Sequence, residues 1–316
     1  MSDIRLAVIG VGTFGQNHLR VIRENPRARL AGVYDIDQAR AAAAAEANNC
    51  AAFASLDDLC ENVDAAVVST PTSTHADVAC FLLAHGIDVL VEKPIAQHVE
   101  AARRILDSSS GRIVQVGHLE RFNPAVLALR KMVTTPLFFE IHRMSQFSAR
   151  SLDVDVVLDL MIHDIDLVLD MVNAQPEEIR AAGISILSQK VDIANVRLAF
   201  ASGCVANITA SRVSTERIRK MRLFQRHQYL SIDYTRQDGA VFSVGQEQQI
   251  SFRTLSVSKV EPLRAQFDAF LTSMETRTHP SCGPLEGLRA LEVACGILAK
   301  IEEHASVVAQ TLASAP

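Results

Sequence analysis

Apolar and polar positions divide this chain into two halves with different rhythms. From residue 4 to about 117, short runs of valine, isoleucine and alanine alternate with longer helical stripes. The runs at 4–10, 29–35, 64–70, 87–92 and 112–117 are continuous rather than alternating, as in strands covered on both faces. Helices are predicted near 14–24, 37–48, 74–85 and 97–109, the third closed by Gly86, a good residue just past a helix end. Such alternation predicts a doubly wound parallel sheet.

After about residue 120 the rhythm becomes strand upon strand: 136–147, 177–187, 191–200, 203–213, 217–226, 228–235 and 240–256. Asp192–Leu198 alternates with period two, and part of Cys204–Thr209 does the same, the pattern of an antiparallel sheet with one wet face. One helix interrupts near 156–172. Leu263, Phe267, Phe270, Leu271 and Met274 form a later helical stripe, and Leu288, Leu291, Cys295 and Leu298 another. The tail after about 304 is small and polar enough to fray. The predicted division is 1–119 for the first domain and 120–316 for the second, an α+β domain with a large open, mainly antiparallel sheet.

Composition narrows the classes. A chain of 316 residues with 48% hydrophobic and 21% charged residues is ordinary globular material, long enough for two cores. Its net charge is −5 and it has no basic block or aromatic–basic stripe, so nucleic acid is not an expected partner. Cys50, Cys60, Cys80, Cys204, Cys282 and Cys295 form no CxxC pair and no zinc spacing, which points to reduced thiols. No apolar stretch reaches the roughly 18 residues of a membrane span. Met1–Arg5 leads into a short apolar run ended by glycines, with no secretory leader, so the expected compartment is the cytoplasm.

Gly10-Val11-Gly12-Thr13-Phe14-Gly15 is GxGxxG between a predicted strand and a predicted helix, the context that makes an otherwise weak motif informative. Gly10 permits the tight turn, Gly12 lets backbone approach a pyrophosphate, and Gly15 allows close helix–strand packing. The helix start, with Thr13 and Phe14, attracts the phosphate charge. The first domain therefore reads as a Rossmann NAD-binding domain. Asp35 ends the second strand, where an acid accepts adenosine ribose hydroxyls and repels a 2′-phosphate, so NAD is favoured over NADP. Arg40 lies further on, in a helix, and no arginine is predicted to welcome that phosphate. Ser69-Thr70-Pro71-Thr72-Ser73-Thr74-His75 follows a strand end. It reads as a loop with Ser73 or Thr74 capping the next helix, and also as cofactor lining; for His75 both readings stand.

Glu92-Lys93-Pro94 ends another strand. Lys93 there either points into the ligand crevice or is a surface lysine at a strand end. Asp159 and His163 lie four apart on the interrupting helix and share a face, which fits a carboxylate-tuned general base and equally a helix salt bridge. Asp166 adds a third donor, but nothing completes a zinc site and no metal is expected. In Gly117–Pro124, Arg121 has the chemistry to meet a phosphate or carboxylate, and Asn123 to cap a helix with Pro124 in its first turn.

The ordered set of Gly10–Gly15, Asp35, Thr70-Pro71 with His75, Glu92-Lys93-Pro94 and Asp159…His163 resembles the glucose–fructose oxidoreductase/inositol dehydrogenase (Gfo/Idh/MocA) family over nearly the whole chain. Gly117–Pro124 and Leu158–Asp166 are most similar to the members that oxidise the 3-hydroxyl of UDP-N-acetylglucosamine-type sugars. The resemblance implies cofactor contacts from Ser69, Thr70, Pro71, His75, Glu92, Lys93 and Pro94. It implies Lys93 and His163 at the substrate carbinol with Asp159 assisting; Arg121, as an anchor for substrate phosphate, and Asn123 are expected from their own chemistry as further substrate contacts. It also implies a homodimer or homotetramer built through the sheet. Many members carry glycines before the Asp…His helix; Val156-Val157-Leu158 stand here instead. The expected activity is NAD-dependent oxidation of a sugar or sugar-nucleotide secondary alcohol. The alternatives are an inositol or free-sugar dehydrogenase, and a regulator that binds NAD without turnover.

Overall fold

The computed structural model of this chain describes residues 4–147, 154–245 and 247–313. The chain divides into two compact units, Met1–Leu119 with Glu261–Leu288, and Glu120–Val260 with Arg289–Pro316.

In the first unit, strands and helices alternate: β1 (Ile4–Ile9), α1 (Thr13–Glu24), β2 (Ala28–Tyr34), α2 (Gln38–Asn48), β3 (Ala51–Ala52), α3 (Leu56–Asn62), β4 (Ala65–Val68), α4 (His75–Ala84), β5 (Asp88–Val91), α5 (Val99–Ser108) and β6 (Val114–Val116). The sheet order is β3-β2-β1-β4-β5-β6 and every pairing is parallel. Leu6–Ile9 and Ala65–Val68 are fully buried, which is why these strands read as continuous apolar runs. Gly86 stands at φ +83°, as a residue just past a helix end requires. β3 and α3 were not predicted. A two-residue edge strand and a seven-residue helix with one buried residue, Leu59, carry too little pattern to be read.

In the second unit come α6 (Pro124–Arg130), β7 (Pro136–Met144), α7 (Ile162–Val172), β8 (Glu178–Ile184), β9 (Ile193–Ala199), β10 (Val205–Ser211), β11 (Ile218–Gln225), β12 (Gln228–Asp233), β13 (Asp238–Val244) and β14 (Ile250–Thr254). They form one eight-stranded sheet, β14-β13-β12-β11-β7-β10-β9-β8, antiparallel except for β7 beside β10. The single strand predicted at 240–256 is two, β13 and β14, because the chain turns back between Gly245 and Gln249 through a backbone hydrogen bond of 2.9 Å. One sheet face, with Phe139, Ile141, Val196, Leu198, Ile208, Met221 and Leu223, shares a core with Ile162, Ile165 and Leu169 of α7. Among the described residues the other face remains open.

Two expectations near the C-terminus are corrected. The helix α8 (Pro262–Thr276), placed by the sequence in the second domain of 120–316, belongs to the first unit. Its stripe Phe267, Phe270, Leu271 and Met274 enters one core with Leu6, Val8, Leu19 and Ile22. Asn25 and Arg27 hold Asp268 at 2.6 and 3.0 Å, and Arg277 pairs with Asp88. A helical stripe names its own buried side but not the sheet that covers it. The closing helix α9 (Pro284–Ala313) runs past the predicted fraying point near 304.

Candidate functional site

The glycine turn follows from backbone demands. Gly10 stands at φ +85°, and a Cβ there would meet the Ser69 carbonyl and Thr70 amide at 2.8 Å. A Cβ on Gly15 would strike the Gly10 carbonyl, whereas one on Gly12 would meet nothing within 4 Å. Gly12 therefore lies where an incoming group approaches bare backbone. It also precedes α1 without any side-chain cap, leaving the first amides of α1 to an anion. Ser69 Oγ donates to the Gly10 carbonyl at 2.6 Å and ties the turn to the end of β4. Phe14 is half exposed at the helix start. These residues fit a dinucleotide.

Asp35 is nearly buried just beyond β2. Its Oδ2 accepts from the Val11 amide at 2.9 Å and its Oδ1 from the Asp37 amide at 3.0 Å, so backbone fixes the carboxylate beside the glycine turn. Arg40, expected further on in a helix, comes close to this carboxylate: its Nη1 lies 3.6 Å from Asp35 Oδ1, with a half-exposed side chain. The first turn of α2, capped by Asp37, folds back over the strand end and brings residue 40 to residue 35.

His75 resolves towards scaffold. It is buried, with Nε2 2.9 Å from the Thr70 carbonyl and Nδ1 3.0 Å from the Pro94 carbonyl. The ring thus joins the Thr70-Pro71 loop to the Lys93-Pro94 loop. Burial lowers its pKa from the ordinary histidine value, outweighing the two carbonyls and Glu92, which act the other way. The expected cap by Ser73 or Thr74 is absent. Thr74 Oγ1 bonds the Pro71 carbonyl and the Thr70 hydroxyl, at 2.9 and 2.8 Å, instead.

Glu92, expected as a cofactor contact, is buried and held by His18 Nε2 at 2.7 Å. Burial alone would raise its pKa; His18 and the Lys93 charge outweigh that and hold the carboxyl below its ordinary value. Glu92 thus anchors the end of β5 and leaves Lys93, partly exposed, as the group presented there; the Lys93–Pro94 peptide is cis. His18 was missed by the sequence reading. The signal was its place three residues after Gly15, on the buried stripe Gly15, His18, Leu19 and Ile22 of α1.

In the second unit the helix bearing Asp159 and His163 opens with a π-helical turn, Val157–Met161, in which the Ile162 amide reaches back to the Val157 carbonyl. Such wide turns concentrate at functional sites. Val156 and Val157 are fully buried and anchor this turn in the core. Asp159 is partly exposed and His163 is 7% exposed, four residues further along.

Beside His163, Asp164 receives a two-pronged ion pair from Arg143 at 2.6 and 2.9 Å, and the Tyr234 hydroxyl at 3.1 Å. Arg143 also binds Glu120 at 2.9 Å and lies 5.0 Å from the Tyr234 ring centre. Burial works against the Arg143 charge, but Asp164 and Glu120 overcome it and push its pKa well up. Arg121 and Asn123, expected at the substrate, serve this scaffold. Arg121 forks onto Asp166 at 2.7 Å and reaches Asp170 at 3.0 Å, and it is 5% exposed. Asn123 caps α6 through the Ala125 amide at 3.1 Å and holds Glu120 and the Tyr234 carbonyl. The sequence could not tell a substrate anion from a carboxylate 45 residues away.

Comparison with known proteins agrees with this geometry. Residues 4–118 match the family described as "Oxidoreductase family, NAD-binding Rossmann fold", and residues 126–229 match "GFO/IDH/MocA C-terminal domain". UDP-N-acetylglucosamine 3-dehydrogenase of Acidithiobacillus ferrooxidans is 34% identical over 96% of this chain and 98% of its own length. A solved structure of that protein superposes with a TM-score of 0.91, covering 96% of this chain and 99% of the other. Inositol 2-dehydrogenase of Rubrobacter xylanophilus is 30% identical over 67% of this chain and 65% of its own length.

Proposed function

This chain belongs to the Gfo/Idh/MocA family of NAD-binding oxidoreductases, and on that premise we propose that it oxidises the 3-hydroxyl of a UDP-N-acetylhexosamine, with NAD as the preferred hydride acceptor. The observation that carries the substrate is the end-to-end similarity to UDP-N-acetylglucosamine 3-dehydrogenase, whereas the inositol dehydrogenase match covers only two thirds of the chain. Asp35 carries the preference for NAD. Arg40 beside it softens the repulsion of a 2′-phosphate, so NADP is a slower cofactor and not an excluded one.

His163 takes the hydroxyl proton as general base, with Asp159 one helical turn away supporting the imidazolium. Lys93, presented at the end of β5, has the ammonium group to donate a hydrogen bond to a developing alkoxide and stabilise its charge. The nicotinamide supplies the acceptor for the hydrogen on carbon. The balance is one secondary alcohol and NAD to one ketone, NADH and a proton. Arg143, itself braced by Glu120, and Tyr234 hold Asp164, and with it the backbone of the His163 turn.

The open sheet face supports a second copy of this chain as partner. Phe252, Phe242, Tyr229, Phe224 and Phe138 lie opposite one another in register across five strands, with neighbouring ring centres 4.8–5.9 Å apart. The same face carries both signs of charge: Glu140 and Asp233 with Lys220 and Arg222. An aromatic row flanked by both charges is self-complementary, as a two-fold interface requires. Among the described residues no helix is long and apolar enough to cross a membrane, and all six cysteines are free thiols, which supports a cytoplasmic location.

The test is NADH formation with NAD and a panel of UDP-N-acetylglucosamine, UDP-N-acetylgalactosamine, N-acetylglucosamine and myo-inositol. The proposal expects turnover with a UDP sugar at a kcat/KM at least about 100-fold above the free sugar and inositol. Preference for myo-inositol would replace this reading with the inositol one, and no NADH from any of them would favour a regulator.

A further inference from the structure

Arg219 is an under-compensated cation among the described residues of the second unit. It is the second residue of β11, directly opposite Arg143 of β7, and such paired residues point to the same face of a sheet. On that face Met221, Leu223 and Arg143 are buried. Two arginines side by side repel, and the cluster answers with two carboxylates, Asp164 and Glu120. The geometry shares them unevenly. Arg143 takes both oxygens of Asp164 and binds Glu120 at 2.9 Å. Among the described residues Arg219 has a single ion pair, Nη1 to Glu120 Oε1 at 3.9 Å, beyond hydrogen-bond range, and its buried Nε has no partner there. Burial, Arg143 and Arg217 draw its pKa down to about 10 against the pull of Glu120. Arg219 also retains 27% of its side-chain surface, so solvent and solutes reach it.

A partly buried guanidinium with unused donors is costly unless an anion completes it. The acids nearest to it already serve Arg143. The planar fork of arginine suits phosphate oxygens, which it binds at two points. Position completes the argument, since Arg219 contributes to the same charged cluster as Asp164, the residue next to His163. Resting on the sugar-nucleotide reading of function, we propose that Arg219 binds the diphosphate of the substrate, the role the sequence gave to Arg121.

The role separates Arg219 from a structural arginine in two ways. Removing a structural ion pair lowers thermal stability, whereas removing a cation that the free protein cannot satisfy leaves stability unchanged or raises it. Removing an anchor that acts equally in ground and transition state raises KM and spares kcat.

The experiment measures UDP binding by calorimetry and thermal melting without ligand, on the full-length wild type and on Arg219→Met and Arg219→Lys. Met keeps the packing of the side chain and Lys keeps the charge without the fork. Expected are a roughly ten- to hundredfold weaker Kd for UDP in Arg219→Met, an intermediate value in Arg219→Lys, unchanged NAD affinity, and a melting temperature at or above the wild type. Arg219→Met that binds UDP as tightly as the wild type, or that melts markedly lower with UDP binding intact, overturns the inference alone. A wild type that turns over myo-inositol and has no affinity for UDP overturns the functional reading as well, so the two failures are distinguishable.

Discussion

Asp35 and Arg40 oppose each other at the end of β2, and their balance sets the choice of cofactor. Asp35→Ser removes the repulsion of a 2′-phosphate and one of the two carboxylates that hold Arg40, the other being Asp37. The expected result is a rise of at least about tenfold in the ratio of kcat/KM for NADP over NAD, read from initial rates with either cofactor. An unchanged ratio would mean that Asp35 does not face the ribose. Lys93→Ala and His163→Ala are each expected to lower kcat by about 10²–10⁴-fold at near-wild-type NAD affinity. Single residues were legible where backbone geometry constrains them: Gly10 and Gly15 admit no side chain, and a glycine motif announces them. Polar residues were harder. Arg121, Asn123, Glu92 and His75 have functional chemistry but structural partners, and those partners lie up to 111 residues away in the chain.

The elements carry these side chains through buried polar anchors. Arg143 is one: its removal strands Asp164, fully buried, and Glu120, 4% exposed, without their main counter-charge. Arg143→Ala is expected to lower unfolding stability by about 3–5 kcal/mol in urea titration, in contrast to Arg219→Met. His75 is another, linking the loops after β4 and β5. Its pKa is lower in the folded chain than in the unfolded one, so the folded state binds fewer protons. Its stabilising contribution is therefore complete above about pH 6.5 and is lost as pH falls through the lower folded value. Melting curves of wild type and His75→Gln should diverge above that pH and converge below it; parallel profiles at all pH values would contradict the assignment. Among the elements, the long periodic ones were readable from sequence. The π-helical turn at Val157–Met161 was not, because a four-residue spacing such as Asp159 to His163 looks the same in either helix.

For the whole molecule, sequence rhythm separated a parallel sheet from an antiparallel one because burial on two faces and on one leave different periods. It did not assign α8 to the first unit, since membership depends on long-range pairs such as Asn25 with Asp268, 243 residues apart. The aromatic row was also invisible before register was known: Phe138, Phe224, Tyr229, Phe242 and Phe252 meet only because five strands align. If that row joins two copies, Phe242→Glu is expected to yield a smaller species by light scattering, with the far-ultraviolet circular dichroism of the wild type. An unchanged mass would remove the sheet face as the interface.

The central claim is that hydride leaves one carbon of a sugar nucleotide for a nicotinamide. UDP-N-acetylglucosamine deuterated at C3, incubated with the protein and NAD, tests it by mass spectrometry of the reduced cofactor. The account predicts one deuterium on the NADH and a slower rate than with the unlabelled sugar. NADH formed without deuterium would contradict oxidation at C3.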